Sequence, residues 1–93
     1  MTYLLIYNPK SGKGNIQKDL PKIKAFFKEK KMQLDIHKTV SQLDAKSYVV
    51  TLKKTYDCVL VAGGDGTIST VLNGLMQLKK VPILGVLPYG SAN

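Results

Sequence analysis

Five consecutive residues, Gly63-Gly64-Asp65-Gly66-Thr67, set one carboxylate and one hydroxyl among three glycines. Residues of these types at this spacing suit a phosphate bound together with a metal ion. Glycines accept positive φ and let a ligand approach bare backbone. A helix starting here would turn its first N–H groups and the positive end of its dipole toward an anion. Asp65 could hold a metal ion or its bound water beside that phosphate. Thr67 could cap the helix or donate its hydroxyl to the ligand. A plain strand-to-helix connection would be satisfied by one glycine, so we read this run as a phosphate site.

The flanking residues supply the elements such a site needs. Residues 57–62 form a short apolar run with β-branched members, the composition of a strand buried on both faces. Apolar residues at 68, 71, 72, 75, 76 and 78 then recur at helical spacing. Two more loops of small residues follow apolar runs. Asn8-Pro9-Lys10-Ser11-Gly12-Lys13-Gly14 comes after a strand over 3–7, and Pro88-Tyr89-Gly90-Ser91-Ala92-Asn93 after a strand over 83–87.

Between them, Ile16, Leu20, Ile23 and Phe27 make an apolar stripe on a helix over 15–31, and Phe26 widens its buried face. Pro21 either kinks that helix or marks its true first turn. Leu34 and Ile36 alternate with polar neighbours in a strand over 33–38, where His37 reads as a surface residue rather than a metal ligand. Ser41 is the expected N-cap of a helix to about residue 54 that carries Ala45, Tyr48, Val49 and Leu52 on one face.

The order βαβαβαβ calls for an α/β fold, a three-layer doubly wound parallel sheet with right-handed crossovers. Strands one and three should be neighbours, with strand two beyond strand one. The loops after strands one and three then flank the switch point where ligands bind, and the loop after strand four opens on the same edge.

At 93 residues the chain is one small domain. No apolar run approaches the ~20 residues that cross a bilayer and no signal peptide opens the chain, so a cytoplasmic protein is expected. The single cysteine, Cys58, lies in an apolar strand and reads as a small buried hydrophobe. The net charge of +8 comes from 14 lysines with no arginine. Lys53-Lys54 and Lys79-Lys80 fall where helices two and three should close, as the helix dipole favours. Without arginine, sequence-specific nucleic-acid binding is disfavoured, and weak attraction to anionic lipid headgroups is the better functional reading of the charge.

Other sites fail on the residues. A Walker A loop ending at Gly12-Lys13 would need glycine at Tyr7, and a dinucleotide fingerprint would need it at Gln17 or Ser69. One histidine and one cysteine make neither a zinc cluster nor a convincing Ser-His-Asp set.

The three loops, in this order and spacing across the whole chain, resemble the diacylglycerol kinase catalytic domain, whose relatives include bacterial lipid kinases, sphingosine kinases and ceramide kinases. Thr39, after strand two, also matches a threonine that the family places near the nucleotide. The resemblance implies the N-terminal α/β domain shared distantly with NAD kinases and phosphofructokinases. It implies an ATP site made by Asn8, Pro9, Lys10, Ser11 and Gly12, by Thr39, by Gly63, Gly64, Asp65, Gly66 and Thr67, and by Gly90 and Ser91, with Mg²⁺ at Asp65. It further implies transfer of the γ-phosphoryl group of ATP to a lipid hydroxyl such as that of diacylglycerol.

The chain departs from the family pattern at Ser69-Thr70, where Asn-Glu is usual, and at Ser91, where Thr is preferred. Family members also continue past Asn93 with an Asp and a second β-rich domain that supplies the catalytic base. Residues 1–93 are therefore expected to be the nucleotide-binding half, with no catalytic residue of their own and no turnover alone. Its last strand would be an exposed sheet edge open to homo-oligomer formation. The expected location is the cytoplasm, peripheral at the inner membrane face. The other expectations are a non-catalytic nucleotide-binding or regulatory module, and a polyanion-binding protein acting on membranes or nucleic acid.

Overall fold

The computed structural model describes residues 1–9, 15–52 and 54–87. Its elements run β1 (Thr2–Tyr7), α1 (Asn15–Glu29), β2 (Gln33–Lys38), α2 (Gln42–Val50), β3 (Cys58–Ala62), α3 (Asp65–Leu75) and β4 (Ile83–Leu87). The strands form one parallel sheet in the order β2-β1-β3-β4. This is the expected α/β arrangement, with strand two outside strand one and strand three beside it.

β1 is central because its side chains are apolar on both faces. Leu4, Leu5 and Ile6 are fully buried. Leu4 and Ile6 join Val59, Val61, Ala45, Val49, Val71 and Leu75 in the core beneath α2 and α3. Leu5 and Tyr7 turn the other way, with Ile16 and Ala62, beneath α1. Right-handed crossovers require this split: α1 carries the chain leftward to β2, whereas α2 and α3 carry it rightward. Cys58 is buried as expected, and burial pushes its thiol pKa up.

The expected stripe of α1 holds: Ile16 and Phe27 are buried, and Leu20 and Ile23 pack against the same core. Phe26 does not widen the buried face; it is 51% exposed, its ring meeting Phe27 edge-on. The helix runs through Pro21, which is exposed. The hydrogen bond lost to proline therefore leaves the Gln17 carbonyl on a side that water can reach.

α1 closes in a Schellman turn. The Met32 N–H donates to the Phe27 carbonyl at 2.9 Å and the Lys31 N–H to that of Lys28 at 3.1 Å, with Lys31 at φ 56°. That left-handed position favours glycine.

α2 ends at Val50 rather than near 54, and α3 at Leu75, so Lys54, Lys79 and Lys80 lie beyond their helices instead of closing them. Lys54 instead pairs with Asp35 on β2 at 3.0 Å. The same carboxylate accepts the Tyr56 hydroxyl at 2.5 Å. On α3, Leu72 and Met76 prove exposed, because Val71, Gly74 and Leu75 take the buried side. His37 is half-buried rather than a surface residue: its ring stacks on Tyr48 at 3.6 Å, and its Nε2 meets the Asp44 carboxylate at 3.2 Å.

Two stability effects follow. Replacing Lys31 with glycine should raise the unfolding free energy by about 0.5–1 kcal/mol in urea melts, because the strained φ is relieved. The phenol of Tyr56 and the ammonium of Lys54 hold the Asp35 carboxyl below its ordinary range. A depressed folded pKa adds stability that is complete above the unfolded value of about 3.9 and fades as pH falls through the folded value. Tyr56→Phe should therefore cost about 1 kcal/mol at neutral pH, a figure discounted for the part-exposed carboxylate. Urea melts of the variant across acid pH should show a shallower loss of stability below about pH 4 than the parent.

Candidate functional site

The parallel register brings the strand ends flush. Tyr7 pairs with Lys38 on one side and with Ala62 on the other, and Ala62 pairs with Leu87. Whatever follows these residues emerges at one edge of the sheet, with neighbouring strands about 4.8 Å apart. Asn8, Thr39 and Gly63 are the first residues past that edge on three adjacent strands. The Asn8 N–H donates to the Ala62 carbonyl at 3.2 Å, carrying the pairing one residue beyond the strand. Pro9 follows in a turn.

Thr39 is held tightly, at 2% exposure. Its N–H donates to the Tyr7 carbonyl at 2.8 Å, and its hydroxyl donates to the same oxygen at 3.3 Å. The next residues are fixed by a cap that the sequence announced in part. Ser41 Oγ accepts the Asp44 N–H at 3.0 Å, as expected of an N-cap, and Asp44 reaches back to accept the Val40 N–H at 3.1 Å. Asp44 also contacts His37, so one carboxylate ties the end of β2 to the start of α2. The Ser41-x-x-Asp44 spacing was the available signal for Asp44's part in this cap, and sequence reasoning passed over it.

After β3 the chain turns at Gly63 and Gly64 and enters α3 at Asp65 itself. Gly64 is the N-cap, at φ −83° and ψ 180°, and no side-chain cap closes the helix. The first helical bond runs from the Ile68 N–H to the Gly64 carbonyl at 3.1 Å. The N–H groups of Asp65, Gly66 and Thr67 thus precede the hydrogen-bonded ladder and face out of the sheet edge. Asp65 and Gly66 are exposed.

Thr67 is not the cap: it lies inside the first turn, 5% exposed, packed against the chain at Gly63. A Cβ placed on Gly63 would stand 3.0 Å from Thr67 Cβ. Gly63 is thus glycine because of this close approach, not because of a left-handed φ. Gly64 differs, since a Cβ there would meet nothing within 4 Å among the described residues.

The Thr70 hydroxyl donates to the Gly66 carbonyl at 2.8 Å. The first turn of α3 offers Asp65 as its carboxylate. Among the described residues, no three His, Cys, Asp or Glu side chains gather to hold a metal. The structure brings together Asn8, Pro9, Thr39, Gly63, Gly64, Asp65, Gly66 and Thr67. Lys10, Ser11, Gly12, Gly90 and Ser91, also expected at the site, lie outside the described residues.

The contrast between the two glycines is testable. Gly63→Ala should cost about 1–2 kcal/mol in a denaturant melt, since Thr67 is branched and held by its own helix. Gly64→Ala should stay within about 0.5 kcal/mol of the parent.

Comparison with known proteins bears on what this edge does. The family model described as "Diacylglycerol kinase catalytic domain" matches residues 2–93. The diacylglycerol kinase of Bacillus subtilis strain 168 is 37% identical over 90 residues, covering 96% of this chain and 30% of that protein. The diacylglycerol kinase of Staphylococcus saprophyticus is 33% identical over 90 residues, again covering 96% of this chain and 30% of the relative. A crystal structure of a diacylglycerol kinase from Bacillus anthracis str. Sterne superposes with a TM-score of 0.79 at 38% identity, covering 99% of this chain and 34% of the other. The chain thus spans about 30% of the length of the curated relatives it matches. With the sheet order, the helix placement and the family match in agreement, this chain belongs to the diacylglycerol kinase catalytic domain family and has its NAD kinase-like α/β fold.

Proposed function

We propose that residues 1–93 form the nucleotide-binding part of a lipid kinase of the diacylglycerol kinase type, which moves the γ-phosphoryl group of ATP onto a lipid hydroxyl. The observation that carries this reading is the start of α3. Its unladdered N–H groups open at the carboxyl edge of the sheet, beside the ends of β1 and β2, with an exposed carboxylate in the same turn. Polyphosphate is the ligand such an arrangement suits: backbone donors and the helix dipole meet its charge.

In this reading Asp65, Gly66 and Thr67 donate backbone hydrogen bonds to phosphate oxygens, and the space at Gly64 admits the phosphate close to the chain. Asn8, Pro9 and Thr39 line the nucleotide from the neighbouring strands, joined by Lys10, Ser11, Gly12, Gly90 and Ser91. The donor set fits Mg²⁺ carried in by the nucleotide, since magnesium commonly binds through one or two carboxylates with phosphates and water making up the rest. Asp65 would be that carboxylate, and the ion would neutralise charge on the transferring phosphoryl group.

The accepting hydroxyl needs a base. Among the described residues the site carries one carboxylate, Asp65, so residues 1–93 alone should not phosphorylate diacylglycerol. The base and the lipid cleft would belong to the further length seen in the relatives. We place such a kinase in the cytoplasm at an anionic membrane face, with the exposed lysines of α1 giving weak, salt-sensitive attraction to headgroups. Among the described strands β4 is an outer edge, where a strand from another copy could add.

Titration of ATP with and without Mg²⁺ tests the reading. Saturable binding should weaken at least about tenfold in Asp65→Ala when Mg²⁺ is present and change little when it is absent. Gly64→Ala should weaken both while keeping stability within about 0.5 kcal/mol of the parent. Affinity indifferent to Asp65 and falling steeply with salt would instead indicate a general polyanion binder. The bond from Thr70 to Gly66 favours one second reading, a nucleotide-binding module without catalysis. Radiolabel transfer to diacylglycerol by a family-length chain carrying this segment, lost in Asp65→Ala, would rule that reading out.

A further inference from the structure

Where α2 and α3 end, the chain leaves a pocket of about 210 Å³ at the amino edge of the sheet, floored by Leu52, Tyr56, Leu78 and Pro82. Tyr56 is buried, and Leu52 and Leu78 pack against the core beneath the two helices. The Ile83 N–H donates to the Asp57 carbonyl at 3.1 Å, tying together the segments that lead into β3 and β4. The five residues of β3 separate this pocket from the turn before α3 by about 16 Å.

The rim is cationic. Lys54, Lys79 and Lys80 line the pocket, all three exposed, with Thr55 beside them. Among the described residues no carboxylate lines it. Two carboxylates lie nearby, and both are engaged. Asp35 accepts Lys54 at 3.0 Å and the Tyr56 hydroxyl at 2.5 Å. Asp57 accepts the Thr2 N–H at 2.8 Å and the Thr2 hydroxyl at 3.2 Å. Those bonds, then the Met1 ammonium and Lys80, hold the Asp57 carboxyl below its ordinary range. Setting Asp35 against Lys54 and Asp57 against Lys80 still leaves Lys79, which forms no ion pair among the described residues.

The helix ends do not call for these lysines. The carbonyls of Ser47, Tyr48 and Val49 already accept from Thr51 and Leu52, and those of Leu72, Gly74 and Leu75 from Met76, Gln77 and Leu78. The positive charge at this edge is therefore open to a ligand.

We infer that this pocket binds a soluble phosphate monoester with a short apolar stem, the stem on the floor and the phosphate among the three ammoniums. Lysine meets phosphate as a point charge on a flexible stem, so three of them can close on one phosphate without a fixed fork geometry. The volume falls below the roughly 300–1,000 Å³ of sites for drug-sized ligands, which suits a small ester rather than a nucleotide. The layering argues against a membrane lipid. A headgroup arriving from a bilayer would leave its apolar chains outside, whereas here the apolar surface lies inside the cationic rim. The pocket shares no residue with the proposed nucleotide site, so either reading can fail alone.

The probe is n-butyl phosphate, titrated into the isotope-labelled chain and followed by NMR. Saturable shifts should centre on Thr55, Tyr56, Leu78, Lys79 and Lys80 and persist in Asp65→Ala. n-Butyl phosphate should bind at least about tenfold more tightly than inorganic phosphate, because the stem buries apolar surface. n-Butanol, which lacks the charge, should give no saturable shift. Lys79→Met combined with Lys80→Met keeps the aliphatic stems at exposed positions. That variant should weaken n-butyl phosphate at least about tenfold and leave the urea midpoint unchanged.

Equal affinity for n-butyl and inorganic phosphate, or binding untouched by the double variant, overturns the inference. So do shifts confined to Asp65, Gly66 and Thr67, which would put the phosphate at the start of α3. Sedimentation with phosphatidylcholine vesicles containing phosphatidic acid, dependent on Lys79 and Lys80 and without n-butyl phosphate binding, would make the cluster a membrane contact instead.

Discussion

The flush parallel register of β1 against both neighbours is the constraint on which the rest depends. A one-residue slip of β3 would exchange Val59 and Val61 with Leu60, turning each toward the wrong helix layer. It would also shift Gly63 and the start of α3 away from Asn8. Because Leu4, Leu5 and Ile6 are buried on both faces, that register is fixed by burial on two sides at once. Hydrogen bonds continue it past the strand ends, from Asn8 to Ala62 and from Thr39 to Tyr7. The edge is therefore rigid where the chain leaves it, and the start of α3 inherits its position from the core.

Much of this was legible in the sequence. The strands 33–38 and 83–87 coincide with β2 and β4, and the neighbours of β1 are those usual in a doubly wound sheet. The GGDGT run was read correctly as strand, turn and helix. Its details were not, because they depend on contacts rather than types. A threonine just after three glycines looks like a cap, but packing on Gly63 draws its side chain inward. Gly63 and Gly64 suggest a left-handed turn, but the backbone at Gly64 is ordinary extended chain.

Phe26 and His37 depart from expectation in opposite directions. Phe26 satisfies helical spacing, yet α1 lies beside an open groove; the apolar spacing of α3 marks the helix correctly and is wider than its buried side, so Leu72 is exposed. Periodicity identifies a face that can be buried, and the neighbouring layer decides how much of it is. His37 errs the other way: one polar residue on a strand looks solvated until Tyr48 and Asp44 arrive from α2. Lys54, Lys79 and Lys80 resemble helix closures in the sequence only because α2 and α3 end earlier than their apolar spacing suggests.

The proposed function turns on polyphosphate binding at the start of α3, with metal at Asp65. The decisive experiment follows the backbone amides of the isotope-labelled 93-residue chain by NMR as Mg-ATP is added. Saturable shifts should concentrate at Asp65, Gly66 and Thr67, extend to Asn8 and Thr39, and be absent from α1 and Ile83. Shifts spread over the lysine-bearing surface of α1, or none at the start of α3 in a folded sample, would contradict it.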